Sequence, residues 1–383
     1  MDLPPGYNRT SINLEKIGII GIGKLGLCLA LQLENAGYEV IGVDISESYI
    51  DELNSKRFKS SEPMVDAFLE RSKHFKATGE LEELIRDDIG VIFIHVATAS
   101  NGAGVYDHSQ LDQVAEDLIQ IGKRASTVEL VIGCTTMPGY CDSLADKLSG
   151  LSYNVSYNPE FIAQGTVMHD IANPDMVLIG EASNLSGKKI EEIYRSFCEK
   201  ELTVHKMDRL SAEICKLGLN CFLTLKISFA NAIGDLAVTS GLDPHRLLSA
   251  IGSDSRVGGR FLNYGFGFGG PCLPQDNRSL NHFANQQGYE LLLSKITDEV
   301  NKRHLEFQFQ QWLQNHTENQ IIEFELVTYK PTAISIAESQ KLQLALKLAE
   351  AGRAVCIKER AEVIEEIKSR YGDIFTYKTH HVS

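Results

Sequence analysis

No two of the eight cysteines in this chain of 383 residues stand at the CxxC spacing of a metal or redox site, and the eleven histidines form no ligand cluster. Neither a disulfide framework nor a metal centre is expected. Positive charge is also short: Lys and Arg number 37 against 51 Asp and Glu, a formal net charge of −14. Non-specific affinity for nucleic acid comes from clustered cations, so no nucleic-acid partner is expected, while helix N-termini and local cations still admit small anions. The first sixteen residues lack the apolar core of a signal peptide, and no apolar run approaches the roughly 18 residues a bilayer requires. The expectation is a reducing, cytoplasmic setting with no membrane partner. Internal repeats and low-complexity linkers are lacking too.

What is present reads as a sheet protein with helices. The length suggests two or three domains, each able to bury a core. Residues 16–44 read strand, tight turn, helix, strand: IGIIGIG, then KLGLCLALQLENAG with apolar spacing near 3.6, then YEVIGVD. Strand-like runs follow at VIFIHVA (91–97), ELVIGCTT (129–136) and DMVLIG (175–180). Their alternation with helical stretches predicts an α/β fold whose Rossmann-like, mostly parallel sheet fills about the first 200 residues. Residues 211–240 change to one long helix, apolar on most faces over 214–230 and closed by Gly241. Such a helix should be covered between domains or by a second subunit. More helix follows to about residue 316, and the remainder carries a strand (IIEFELV), a helix (SQKLQLALKLAEAG) and a strand (RAVCIKE), a small nucleotide-binding-like unit that stops early.

Four sets of residues carry chemistry. Gly21, Gly23 and Gly26 form GxGxxG between a strand and a helix, and Asp44 ends the next strand about 20 residues on, the arrangement that binds a dinucleotide. Asp44 would repel a 2′-phosphate, which favours NAD over NADP. Cys272 stands in GFGFGGPCLPQD (265–276), where glycines free the backbone and admit a ligand; a small apolar packing residue is the plainer alternative. Lys216 and Asn220 lie one turn apart on the long helix, so their polar ends share a face, as catalytic groups or as a snorkelling lysine beside a satisfied amide. Glu160 in SYNPEF reads as a general base or a turn-capping carboxylate, and Thr136 at the end of GCTT has the same ambiguity.

Taken in order, these pieces resemble the UDP-glucose/GDP-mannose dehydrogenase family over residues 16 to 300. The likeness rests on IGIIGIGKLGL, CTTMPG, NPEF, AEICKLGLNCFLTLKISFAN and GFGFGGPCLPQD. It implies an NAD-binding Rossmann domain at 1–205, a central helical domain with the cysteine loop at 206–315, and a reduced carboxyl-terminal α/β domain at 316–383. It implies NAD contacts from Gly21, Ile22, Gly23, Lys24, Leu25, Gly26, Asp44, Val96, Thr98 and Thr136. A nucleotide-sugar substrate is implied to meet Phe161, Ile162, Lys216, Asn220, Arg256, Arg260, Phe266, Gly267, Gly269 and Lys330, with Arg260 acting across a homodimer formed through the central helix. The implied reaction oxidises the C6 hydroxymethyl of a nucleotide-linked hexose to the uronate in two steps, consuming two NAD. Cys272 captures the aldehyde as a thiohemiacetal and then carries the thioester. Lys216 and Asn220 stabilise the oxyanion, while Asp276, Glu160 and a water on Thr136 handle protons.

The chain departs from the family pattern in places. Gln275 precedes Asp276 where a lysine is usual, Met176 replaces an arginine, and YKPTAISIAES (329–339) keeps Lys330, Glu338 and Ser339 but has Ala333, Ile334, Ser335 and Ala337 in place of a Thr, two Asp and an Arg. Turnover is the expectation. A homologue that binds NAD and a sugar nucleotide without full turnover is the alternative, and a β-hydroxyacid dehydrogenase is disfavoured because it needs no activated cysteine.

Overall fold

The isoleucine- and valine-rich runs form the middle of one sheet in the computed structural model, which describes residues 15–85, 88–99, 104–162, 165–331 and 333–380. Its strands are β1 (Lys16–Ile20), β2 (Glu39–Val43), β3 (Phe75–Thr78), β4 (Ile89–Ile94), β5 (Val128–Ile132), β6 (Tyr153–Tyr157), β7 (Val177–Gly180) and β8 (Val204–Met207), in the order β3-β2-β1-β4-β5-β6-β7-β8. All neighbours run parallel except β6 and β7. The chain runs outward from β1 to β3 and then returns to lay β4 against the other side of β1, and such a reversal opens a crevice beyond the carboxyl ends of the strands. β5 is buried along its whole length and β1 nearly so, as strands covered on both faces must be. β3 and β8 were not foreseen; they are short, and β8 (VHKM) is half-buried or exposed throughout, so neither carries a core-strand pattern.

The chain divides into two compact units, Met1–Ala99 with Asp107–Glu213, and Ser100–Tyr106 with Ile214–Ser383. The first contains the sheet and a core in which Leu27, Leu29, Leu31 and Leu33 of the helix Lys24–Asn35 are buried with Ile17, Val91 and Phe93. In the second, β9 (Ile322–Glu325), β10 (Val355–Glu359) and β11 (Thr376–Thr379) make a parallel sheet in the order β11-β10-β9. The tail thus extends past the expected strand-helix-strand, adding the helix Ala361–Tyr371 and β11. Its core draws on the helix Leu292–Asn315: the chain's one tryptophan, Trp312, stacks on Phe324 with ring centroids 4.8 Å apart.

The long helix is present as Arg209–Thr239. By length and composition alone it could cross a membrane, its best stretch averaging a mean hydropathy of 1.4, a correction to the expectation that nothing apolar reaches that length. Charge is what the apolar count overlooks. Lys226 donates to the carbonyl oxygens of Val257 (3.1 Å) and Gly258 (3.0 Å), and the buried Ser228 hydroxyl donates to Thr297 O at 3.3 Å. These bonds tie the helix to neighbouring segments of the second unit, with 33% of its apolar stretch buried.

Candidate functional site

The turn after β1 is shaped by its glycines. Gly21 has φ +83°, and a Cβ there would lie 2.6 Å from the His95 carbonyl oxygen. A Cβ on Gly26 would fall on the carbonyl oxygen of Gly21, whereas Gly23, which precedes the helix Lys24–Asn35, has nothing within 4 Å of its Cβ position. Open space at a helix N-terminus with unspent amide groups is room for a pyrophosphate, so these residues fit NAD. Asp44 follows β2 half-exposed, taking the Ser46 amide at 3.2 Å. Ile22 is fully buried, which leaves its main chain for a ligand; Lys24 lies 3.6 Å from Glu62, Leu25 packs on the core, and Val96 and Thr98 are half-buried. Gly26→Ala is expected to cost about 1–3 kcal/mol of stability by overpacking. It should also weaken NAD binding by more than about tenfold, read by fluorescence titration beside a thermal melt.

Thr136 and Glu160 belong to the same unit. Thr136 is wholly buried, and its hydroxyl donates to Glu213 Oε1 at 2.8 Å. Glu213, itself fully buried, also accepts from the amides of Cys141 (3.0 Å) and Gly139 (2.6 Å), so one carboxylate gathers the 136–141 turn. Any water on Thr136 shares that hydroxyl with Glu213. Nothing in its sequence context singles out Glu213; an acidic residue at the start of an apolar helix looks like ordinary capping chemistry. Glu160 accepts from Tyr194 Oη at 3.0 Å and lines a recess with Phe161, Ile162 and Met176, the methionine standing where the resemblance implied an arginine. Burial of its ring nitrogens pushes His95 down to about 4, so it is neutral.

Cys272, Asp276, Lys216 and Asn220 come together in the second unit. Cys272 is the N-cap of the helix Leu273–Gln286, which places Asp276 in that helix's first turn. Asp276, 1% exposed, accepts from the Asn220 amide on one oxygen and from the Tyr106 hydroxyl on the other. Lys216 is buried nearby, close enough to act electrostatically on both Asp276 and Cys272. Tyr106 had no place in the sequence reading, because nothing local marks a residue that acts 170 positions away.

Gly267, Gly269 and Gly270 of the cysteine loop make close contacts within the protein, whereas Gly265 has open space at its Cβ position. A Cβ on Gly269 would fall on the Glu338 carbonyl oxygen, and Gly270, with φ +85°, lies under the Tyr329 ring, 2.6 Å from its Cβ position. Gly270 N donates to Ala337 O at 2.9 Å. Arg278 clasps Glu338 through two bonds of 2.7 and 2.6 Å. Asn301 fixes the Phe268 backbone with a pair of 3.0 Å bonds, and a Cβ on Gly267 would meet its side chain. Phe266 is part-exposed with Lys341 over its ring at 5.5 Å. Arg256 is 87% exposed and paired with Asp254 at 2.8 Å, and Arg260 is exposed in the same loop. At the carboxyl end of β10, Arg360 pairs with buried Glu359 at 3.0 Å and donates to Ala333 O, so it takes up space near the altered motif that also carries Lys330.

Electrostatics set the resting state of the thiol. A helix N-terminus and Lys216 both favour thiolate. Desolvation first, and the charge of Asp276 second, outweigh them, and Cys272 is held above its ordinary value. Burial likewise raises Asp276, while Lys216, Tyr106 and Asn220 pull it back.

Family comparison agrees with this geometry. Residues 15–198 match the NAD-binding domain model of the UDP-glucose/GDP-mannose dehydrogenase family, and residues 210–303 match its central domain model. The UDP-glucose 6-dehydrogenase TuaD of Bacillus subtilis is 30% identical over 299 residues, covering 76% of this chain and 63% of its own. The GDP-mannose 6-dehydrogenase of Pseudomonas aeruginosa is 30% identical over 289 residues, covering 72% of this chain and 65% of its own. The chain thus spans less than two thirds of these relatives' length. A solved UDP-glucose dehydrogenase from Pyrobaculum islandicum superposes with a TM-score of 0.86 at 26% identity, over 97% of this chain and 88% of that one.

Proposed function

The chain belongs to the UDP-glucose/GDP-mannose dehydrogenase family, and from that premise we propose that it oxidises the C6 hydroxymethyl of a nucleotide-linked hexose to a carboxylate through Cys272. The observation that carries this reading is the set of Lys216, Asn220 and Asp276 around a cysteine at a helix N-terminus. NAD, held at the Gly21–Gly26 turn, supplies the hydride acceptor for each oxidation. Lys216 and Asn220 offer donors to the sugar oxygen as negative charge builds on it. The Cys272 sulfur bonds to the aldehyde carbon as a thiohemiacetal, which oxidation converts to a thioester. Water then attacks the thioester carbon, the C–S bond breaks, the sulfur leaves as thiolate, and Asp276 takes the water's proton. Since burial holds the resting thiol above its ordinary value, its proton must leave on the way to the bond, and Asp276 one turn along is a base able to take it.

Incubation with NAD and a panel of UDP- and GDP-linked hexoses tests the reading. Two NADH per sugar consumed support it. One NADH per sugar points to a simple alcohol dehydrogenase, and binding without NADH points to a homologue that does not turn over.

The homodimer forms through the central helix in this proposal. Phe222, Phe229 and Leu236 recur every seventh residue and are 57%, 46% and 62% exposed, an apolar stripe along one face. Sedimentation should show a dimer at micromolar concentration, and Phe229→Asp should shift it to monomer. A wild-type monomer would remove the interface.

A further inference from the structure

Asp276 is enclosed by groups from three parts of the second unit. The central helix brings Lys216, Asn220 and Cys221, whose thiol lies 3.7 Å from the Asp276 carbonyl oxygen. The aspartate's own helix brings Cys272, whose carbonyl accepts the Asp276 amide at 2.8 Å. Tyr106 arrives from the stretch Ser100–Tyr106. Gly104, with φ +82°, lies against the cysteine helix: its Cβ position is 2.9 Å from Arg278 Cβ, leaving no room for another residue. Tyr106 is 8% exposed, so its phenol meets the carboxylate away from water. Gln275, where the resemblance implies a cation, donates instead to Ser279 at 3.0 Å.

We propose that Tyr106 is a positioning residue for proton transfer at Asp276: its phenol fixes one carboxylate oxygen, with Asn220 on the other, and keeps the group an anion able to accept a proton. The inference rests on the reading above for what Asp276 does, but the contact stands without it. A donor to the charged form favours that form, and in a dry site its loss is not made good by solvent. Tyr106→Phe keeps the ring and removes only the hydroxyl, so Asp276 should bind a proton at higher pH.

The Cys272 thiol reports on this without NAD or sugar. Its alkylation by iodoacetamide is measured from pH 4 to 9 by mass spectrometry of the Cys272 peptide, and the step caused by Asp276 ionisation is located. In Tyr106→Phe that step should move up by about one to two pH units, with the affinity for NAD unchanged. Asp276→Asn should lack the step, and adding Tyr106→Phe to it should change nothing further. Site-specific 3-fluorotyrosine at position 106, a stronger donor of near-native shape, should move the step down and serves if the phenylalanine protein fails to fold. A profile indifferent to both replacements, or one that shifts equally in the Asp276→Asn background, would overturn the proposal. An absence of sugar oxidation in the wild type would sink the proposed activity and leave this result standing. If turnover is present, the acid limb of kcat should follow the alkylation step while KM for NAD holds.

Discussion

A Cys272→Ser protein is expected to bind NAD as the wild type does and to release no uronate, with overall turnover reduced by more than about 10³-fold. A serine hydroxyl is a far weaker nucleophile and holds its proton more tightly. The aldehyde from the first oxidation would then have no covalent anchor, and at most one NADH per sugar should form. The glycine turn at Gly21–Gly26 lies in the other unit, so the substitution leaves its geometry intact. NADH absorbance together with chromatography of the sugar product reads the result. A serine variant with full turnover would remove Cys272 from the chemistry.

Lys216→Met should lower kcat by about 10²–10³, the usual cost of losing one preorganised oxyanion donor. Methionine keeps the unbranched stem, so packing changes little while the charge goes. The sign of the accompanying titrations follows from the site: Lys216 pulls both Cys272 and Asp276 down, and without it both must rise. Alkylation of Cys272 should therefore need higher pH than in the wild type. An unchanged alkylation profile together with unchanged kcat would mean that Lys216 acts only as a buried stem.

The central strands and the long helix were readable because burial on both faces leaves unbroken apolar runs. β3, β8 and β11 were not, since short strands at the margins of a sheet keep polar residues facing water. The same division holds in the site. Gly21, Gly26 and the cysteine loop announce themselves through spacing and composition. Tyr106 and Glu213 do not, because their importance comes from contacts 170 and 77 positions distant. The loop glycines were legible as a feature; what the sequence did not show is that Gly269 and Gly270 also make room for Glu338 and Tyr329.

The grip on the cysteine loop uses main-chain atoms of Ala337 and Glu338 with one carboxylate. Ser335 supports that grip, its hydroxyl accepting the Ala337 amide at 3.2 Å and its carbonyl the Tyr329 amide at 3.3 Å. Cutting the chain before residue 329 would take away that brace, so a truncated protein should lose its reactive loop along with its last strands.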